Sequence, residues 1–245
     1  METFQHMLQN FNPGIIWLNS KNHVSAMSSL ASSALGVDSK DVVGTHILQL
    51  HPETSRHKVK SLLESAECPV KSPPPMAMMI NIPDKVLLIK VSKMFEGNHT
   101  AGTCMIFYDL TNISTLPVEI QNNGGNGLRL LFKLPVFFNN QVTLLDLEEV
   151  IFFKADGHYT NVITNDYTYL CNLSITDLVE RLDLRKFIRI HRSYIINVRF
   201  AKSFNKVGHQ SMILLDDAND PNIPISRSKI QITKEVVDNG ADPVL

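Results

Sequence analysis

The sequence predicts a two-domain α+β chain: a first half of antiparallel strands with short helices, then a mostly-β second half. Three observations predict it. The 245 residues suffice for two domains of ordinary size. Short apolar runs separated by turn residues recur through both halves, the pattern of strands rather than of long helices. Residues 113–127 are rich in Asn and Gly and poor in apolar side chains, so they read as a flexible linker between domains 1–112 and 128–245.

Composition bounds the function. A hydrophobic content of 44% and a charged content of 19% describe a globular protein, and a net charge of −1 gives no global pull toward nucleic acid. Three widely spaced cysteines, Cys68, Cys104 and Cys171, argue against a disulfide framework and for a reducing compartment. No secretory signal and no apolar run of membrane-spanning length is visible, so no membrane role and a cytoplasmic location are expected.

The elements follow in order. Phe4, Met7, Leu8 and Phe11 mark a short amphipathic helix over 2–11, ended by Asn12-Pro13-Gly14. A helix that short needs a partner surface, and a second copy of the chain is the expected one. Ile15–Ala26 reads as strand, turn, strand; residues 27–36 read as a helix closing at Gly36, and Ser55–Ser65 as a second helix. Ala77–Ile82, Lys85–Ser92 and Cys104–Tyr108 are strand candidates, followed by Asp109-Leu110-Thr111. Beyond the linker come strands at Leu130–Val136, Gln141–Asp146, Val150–Lys154, Tyr159–Thr164 and Thr168–Asn172. Ser174–Leu182 reads as a helix with Ser174 as its N-cap. The stretch 187–197 follows, and strands near 200–206 and 211–216 and a final turn over 223–229 complete the chain.

Within this frame, the stretch His51–Met79 collects imidazole, thiolate and thioether donors (His51, His57, Cys68, Met76, Met78, Met79) around Pro73-Pro74-Pro75. These are the side chains that haem iron accepts on its axial faces. A structural reading is also open, with His51 at the surface, Cys68 a small hydrophobe and the methionines core filler. Strand alternation sets Met76 and Met78 on one face and Met79 on the other, so the pattern does not separate Met76 from Met78. His46 and His57 compete with His51, while Met94, Met105 and Cys104 read as core. In the second domain, Arg185–Lys206 holds seven Lys/Arg and no Asp or Glu.

The element order of the first domain, with its opening hairpin and its Asp109-Leu110-Thr111 exit, resembles a PAS domain, with Ser28 where many members carry Asn. That resemblance implies an antiparallel five-stranded sheet with helices, holding a ligand against one face. The phrases FKADGHYTNV, LCNLSITDLVERL, FIRIHRSYIINV and IPISRSKI resemble, in order, the LytTR family of DNA-binding domains. That resemblance implies a ten-stranded fold whose loops enter the major groove of double-stranded DNA at operator repeats. Carried over by position, Thr160, Asn161, Arg192 and Arg227 are the base-reading candidates, Arg189, Lys202 and Lys206 hold phosphates, and His191 contacts DNA or caps the local backbone.

Across both domains, LHPETSR, CPVKSPPP, AMMINIPD, IKVSKM and GTCMIFYDLT resemble the RcoM-type haem-containing regulators that sense carbon monoxide. The resemblance implies one haem b per chain, a homodimer and activation of transcription on CO binding, not enzymatic catalysis. It assigns His51 as the retained axial ligand, Met78 as the ferrous partner that CO displaces, and Cys68 as the ferric partner. Charged thiolate suits Fe(III) and neutral thioether suits Fe(II), in keeping with such an exchange. Ile80, Ile89, Val91 and Ile106 are the expected apolar lining. A PAS–LytTR regulator of redox state or of another small ligand is the alternative.

Overall fold

The computed structural model describes residues 13–51, 53–65, 78–82, 85–97, 99–116, 129–138, 141–157, 159–208, 210–216 and 222–238. The helix expected over 2–11, the proline run, Cys68 and Met76 lie outside these residues. The chain divides into two compact units after Thr111.

The first unit is a five-stranded antiparallel sheet of β1 (Gly14–Asn19), β2 (Val24–Met27), β3 (Met78–Ile82), β4 (Lys85–Glu96) and β5 (His99–Asp109), in the order β2-β1-β5-β4-β3. Alternate residues of its strands meet the helices: Ile16, Leu18, Ile89, Val91, Met105 and Phe107 pack with Ala31, Ile47, Val59, Leu62 and Leu63 in one buried core. Gly14 permits the close approach this requires, since a Cβ there would lie 2.8 Å from the Ala31 backbone. Ser28 performs the task its position demands. Its Oγ accepts from Ala31 N (3.2 Å), capping the helix Ser29–Leu35, and from Ile15 N (2.9 Å), tying that helix to β1. At the exit, Asp109 Oδ1 accepts from Thr111 N, and Thr111 Oγ1 accepts from Val86 N.

Among the described residues the second unit carries ten strands, seven in one sheet and three in another. The larger sheet contains β6 (Lys133–Phe138), β7 (Gln141–Asp146), β8 (Phe152–Asp156), β9 (Tyr159–Ile163), β10 (Thr168–Cys171), β11 (Phe187–His191) and β12 (Tyr194–Asn197). Its order is β11-β12-β8-β9-β10-β6-β7. The smaller holds β13 (Ala201–Val207), β14 (Gln210–Leu215) and β15 (Asn222–Pro224). Ile151, Phe152, Ile190 and Ile196 pack with Ile213, Leu215, Ile223 and Ile225 in a core that joins the two sheets. Ser174 and Asp177 form a capping box on the helix Ile175–Val179, which is shorter than the expected 174–182.

Two further differences from expectation have local causes. The first residues of the expected linker are ordered: Ser114 and Thr115 are buried, and Thr115 bridges Leu131. The chain continues past the turn Arg227–Lys229 into a helix, Ile230–Asp238. Its β-branched content (Ile230, Ile232, Thr233, Val236, Val237) hides it from propensity, since such residues favour strands.

Candidate functional site

In the first unit, the 3-10 turn Ile47–Leu50 presents His51. His46 Nδ1 accepts from Leu48 N (3.2 Å) at the start of the turn, and His51 follows at its end, half-buried. His51 Nδ1 lies 2.9 Å from Ile47 O. A carbonyl can only accept, so Nδ1 carries a proton, and in the neutral ring Nε2 keeps its lone pair, the tautomer a metal-binding imidazole requires. His46 is in the opposite state. Its Nδ1 accepts an N–H, so in the neutral ring Nε2 bears the proton and no lone pair is left for a metal. Arg56 Nε donates to His51 O (3.1 Å), fixing the backbone of the same residue from the following helix.

Met78 opens β3, which ends the sheet order. The register sets Met78 opposite Ile89, Met79 opposite Leu88 and Ile80 opposite Leu87. Directly opposed residues share a face, so Met78 and Ile80 have register positions on the core side with Leu87, Ile89 and Val91, and Met79 has one on the outer side. Ile106 does not belong with this set. It pairs with exposed Lys90 and with Ile15, on the face away from the core. Its neighbours Met105 and Phe107 occupy the inward positions instead. The expected lining is therefore corrected by one residue in β5. Cys104 also lies on the outer face, half-buried and opposite Trp17 and Ser92, and not in the core as expected. Burial pushes its thiol pKa up.

In the second unit, three chain segments converge at one end of the strands. The β8–β9 hairpin places Lys154 opposite both Asn161 and Tyr194. The β11–β12 connection carries Arg192 and Ser193, and Ser193 O accepts from Ala155 N (2.9 Å), joining the two hairpins. Ser226 N donates to Ile190 O (2.8 Å), which seats exposed Arg227 beside the same connection. Arg192 is exposed and Asn161 half-exposed, with Asn161 Nδ2 3.3 Å from Asp156 Oδ2. An exposed guanidinium can take guanine O6 and N7 together.

The remaining expected DNA contacts differ in their placement. Thr160 is fully buried, and its hydroxyl donates to Leu173 O at 2.7 Å, so it holds the fold and offers nothing to a base. Lys202 sits at the far end of β13, opposite the segment near Leu215, and its Nζ lies 3.5 Å from Asp216 Oδ1. Lys206, opposite Ser211, is at the reading end, because Ile225 N donates to Ser211 O just before Ser226. Arg189 donates from Nη2 to Arg192 O (2.9 Å), from Nε to His191 O (3.4 Å) and from Nη1 to Thr176 Oγ1 (3.4 Å). His191 Nδ1 accepts from Ser193 N at 3.2 Å, the backbone-capping role of its two alternatives. Lys154 is an exposed basic residue at this end that sequence reasoning did not single out. The signal was its place in FKADGHY, five residues before Tyr159, on an exposed strand position beside Asn161.

A five-stranded sheet packed on helices, followed by a mostly-β unit with exposed basic loops, fits a one-chain sensor and DNA-binding regulator. The sequence matches the PAS fold over residues 2–108 and the LytTr DNA-binding domain over residues 140–238. It is 45% identical to the Heme-containing CO-sensing transcriptional regulator RcoM 1 of Paraburkholderia xenovorans, over 96% of this chain and 93% of that protein. RcoM 2 of the same organism is also 45% identical over the same shares. The CO-responsive transcriptional regulator RcoM of Rhodospirillum rubrum is 28% identical over 94% of this chain and 96% of its own. The chain belongs to the RcoM family of transcriptional regulators.

Proposed function

We propose that this chain is a single-component, haem-dependent CO sensor that binds operator DNA through its second domain. The observation that carries the sensor half is the His51 Nδ1–Ile47 O hydrogen bond, which in the neutral ring leaves the Nε2 lone pair of a half-buried imidazole available to bind iron. Haem b, one per chain, supplies when bound an iron that takes CO in its ferrous state. His51 is the retained donor. Met78 would be the donor to the ferrous iron and Cys68 the donor to the ferric iron. Ile80, Ile89 and Val91, joined by Met105 and Phe107, supply the apolar wall.

Met78 opens the strand that ends the sheet order, so a change in its ligation would act on the start of that strand and could be passed toward the linker. Moving a two-state switch from 1:99 to 99:1 takes about 5.5 kcal/mol of differential affinity, within reach of a gas ligand at iron. In the second domain, Arg192, Arg227 and Asn161 read bases, and Lys154 and Lys206 hold phosphates. Two copies of the chain meet two operator repeats, in the cytoplasm. Among the described residues no helix is long and apolar enough to cross a membrane.

Absorption spectra of the purified protein, oxidised, reduced with dithionite and reduced under CO, test this reading together with DNA retention in the same three states. Low-spin six-coordinate haem in both redox states, a clean shift under CO and DNA binding that rises with CO are expected. A protein that remains colourless after haem reconstitution contradicts it.

A further inference from the structure

We infer that Arg189 is a positioning residue of the DNA-reading turn and not a phosphate contact. The inference rests on the reading that the β11–β12 connection enters DNA. That connection is short: His191 pairs with Tyr194, leaving Arg192 and Ser193 as a two-residue loop. Two-residue hairpin loops ordinarily use turns with positive φ, because those match the twist of the flanking strands. Neither Arg192 nor Ser193 has positive φ, and Asn22 is the single non-glycine residue with positive φ among the described residues. The turn thus lacks the usual intrinsic geometry, and the register is broken between Arg189 and His191. Something outside the loop must hold it.

Three hydrogen-bonded props do so. Ser193 N donates to His191 Nδ1, and Ala155 N donates to Ser193 O. The third is the Arg189 guanidinium, which spans the carbonyls of His191 and Arg192 and reaches Thr176 Oγ1 on the helix Ile175–Val179. A planar fork can serve three acceptors at once, whereas a lysine ammonium on a flexible stem cannot reproduce that geometry. Arg189 therefore sets the direction of Arg192 by fixing its carbonyl, and ties the reading turn to a capped helix.

The two roles separate by substitution and by salt. Full-length, haem-loaded, reduced protein under CO is titrated, over a series of salt concentrations, against an operator duplex selected by the wild type and a scrambled duplex of equal length. As a positioning residue, Arg189→Lys loses roughly tenfold in operator affinity, the scale of one misplaced base contact. Its affinity for the scrambled duplex and its log–log salt slope stay at the wild-type values. As a phosphate contact, Arg189→Lys binds like the wild type, and Arg189→Ala flattens the slope by about 0.9 on both duplexes; that result overturns the inference. Should Arg189→Lys not fold by circular dichroism, Thr176→Val decides: a fall in the operator-to-scrambled ratio supports the positioning role, and an unchanged ratio overturns it. A wild type that binds both duplexes equally would instead overturn the DNA-reading assignment itself.

Discussion

His51 and Met78 are held by the fold in opposite ways. His51 closes a 3-10 turn, its ring bonded to the carbonyl four residues earlier and its own carbonyl bonded to Arg56. Met78 stands at the first residue of the strand that ends the sheet, paired to β4. A donor seated by its own turn suits a permanent ligand, and one at the start of an edge strand suits a replaceable ligand. The end proposed to read DNA repeats the contrast: the donors of Arg189 are directed into the protein, while Arg192 and Arg227 are exposed.

The largest effect expected from breaking this contrast is at His51. His51→Ala should reduce haem to well below one per chain in a pyridine haemochrome assay, and retention of haem with an unchanged spectrum would remove His51 from the site. Next, Arg227→Ala should lose about 1–3 kcal/mol of operator affinity with an unchanged melting curve; an unaltered footprint would exclude Arg227 from base reading. Thr160→Val should act on the fold instead. Losing the bond to Leu173 O in a buried site costs about 1–3 kcal/mol, read as a lower urea midpoint, with operator preference intact. The smallest effect is at Cys171. Burial raises its pKa to about 12, so at pH 8 it stays a thiol, and mass spectrometry should find it unalkylated by iodoacetamide until the protein is unfolded.

Much of the architecture is legible from short-range chemistry. The hairpin at Ile15–Ala26, the capped helix at Ser174 and most strands up to Leu215 follow from alternation, turn residues and caps, whereas β15 lies where a turn was expected. What escapes is which face a strand residue takes when both neighbours are apolar. In CMIFY, every residue from Met105 to Tyr108 is acceptable in a core, and a shift of one places Ile106 inside and Phe107 outside. The buried side of Thr160 and the inward use of Arg189 escape for a related reason. A polar side chain reads as exposed from sequence, and only the tertiary fold brings Leu173 O to one and the Arg192 carbonyl to the other. The Ile47 carbonyl that fixes the His51 tautomer is likewise a backbone atom, which residue type does not announce.

The central claim is that Met78 is the ferrous ligand that CO replaces. Its most direct test is the absorption spectrum of dithionite-reduced Met78→Ala without CO, set beside the wild type and followed by DNA binding in the same sample. The account predicts that the variant keeps its haem, loses the low-spin six-coordinate ferrous spectrum and either binds operator without CO or loses its CO requirement in part. A CO-free spectrum and a CO response identical to those of the wild type would contradict it.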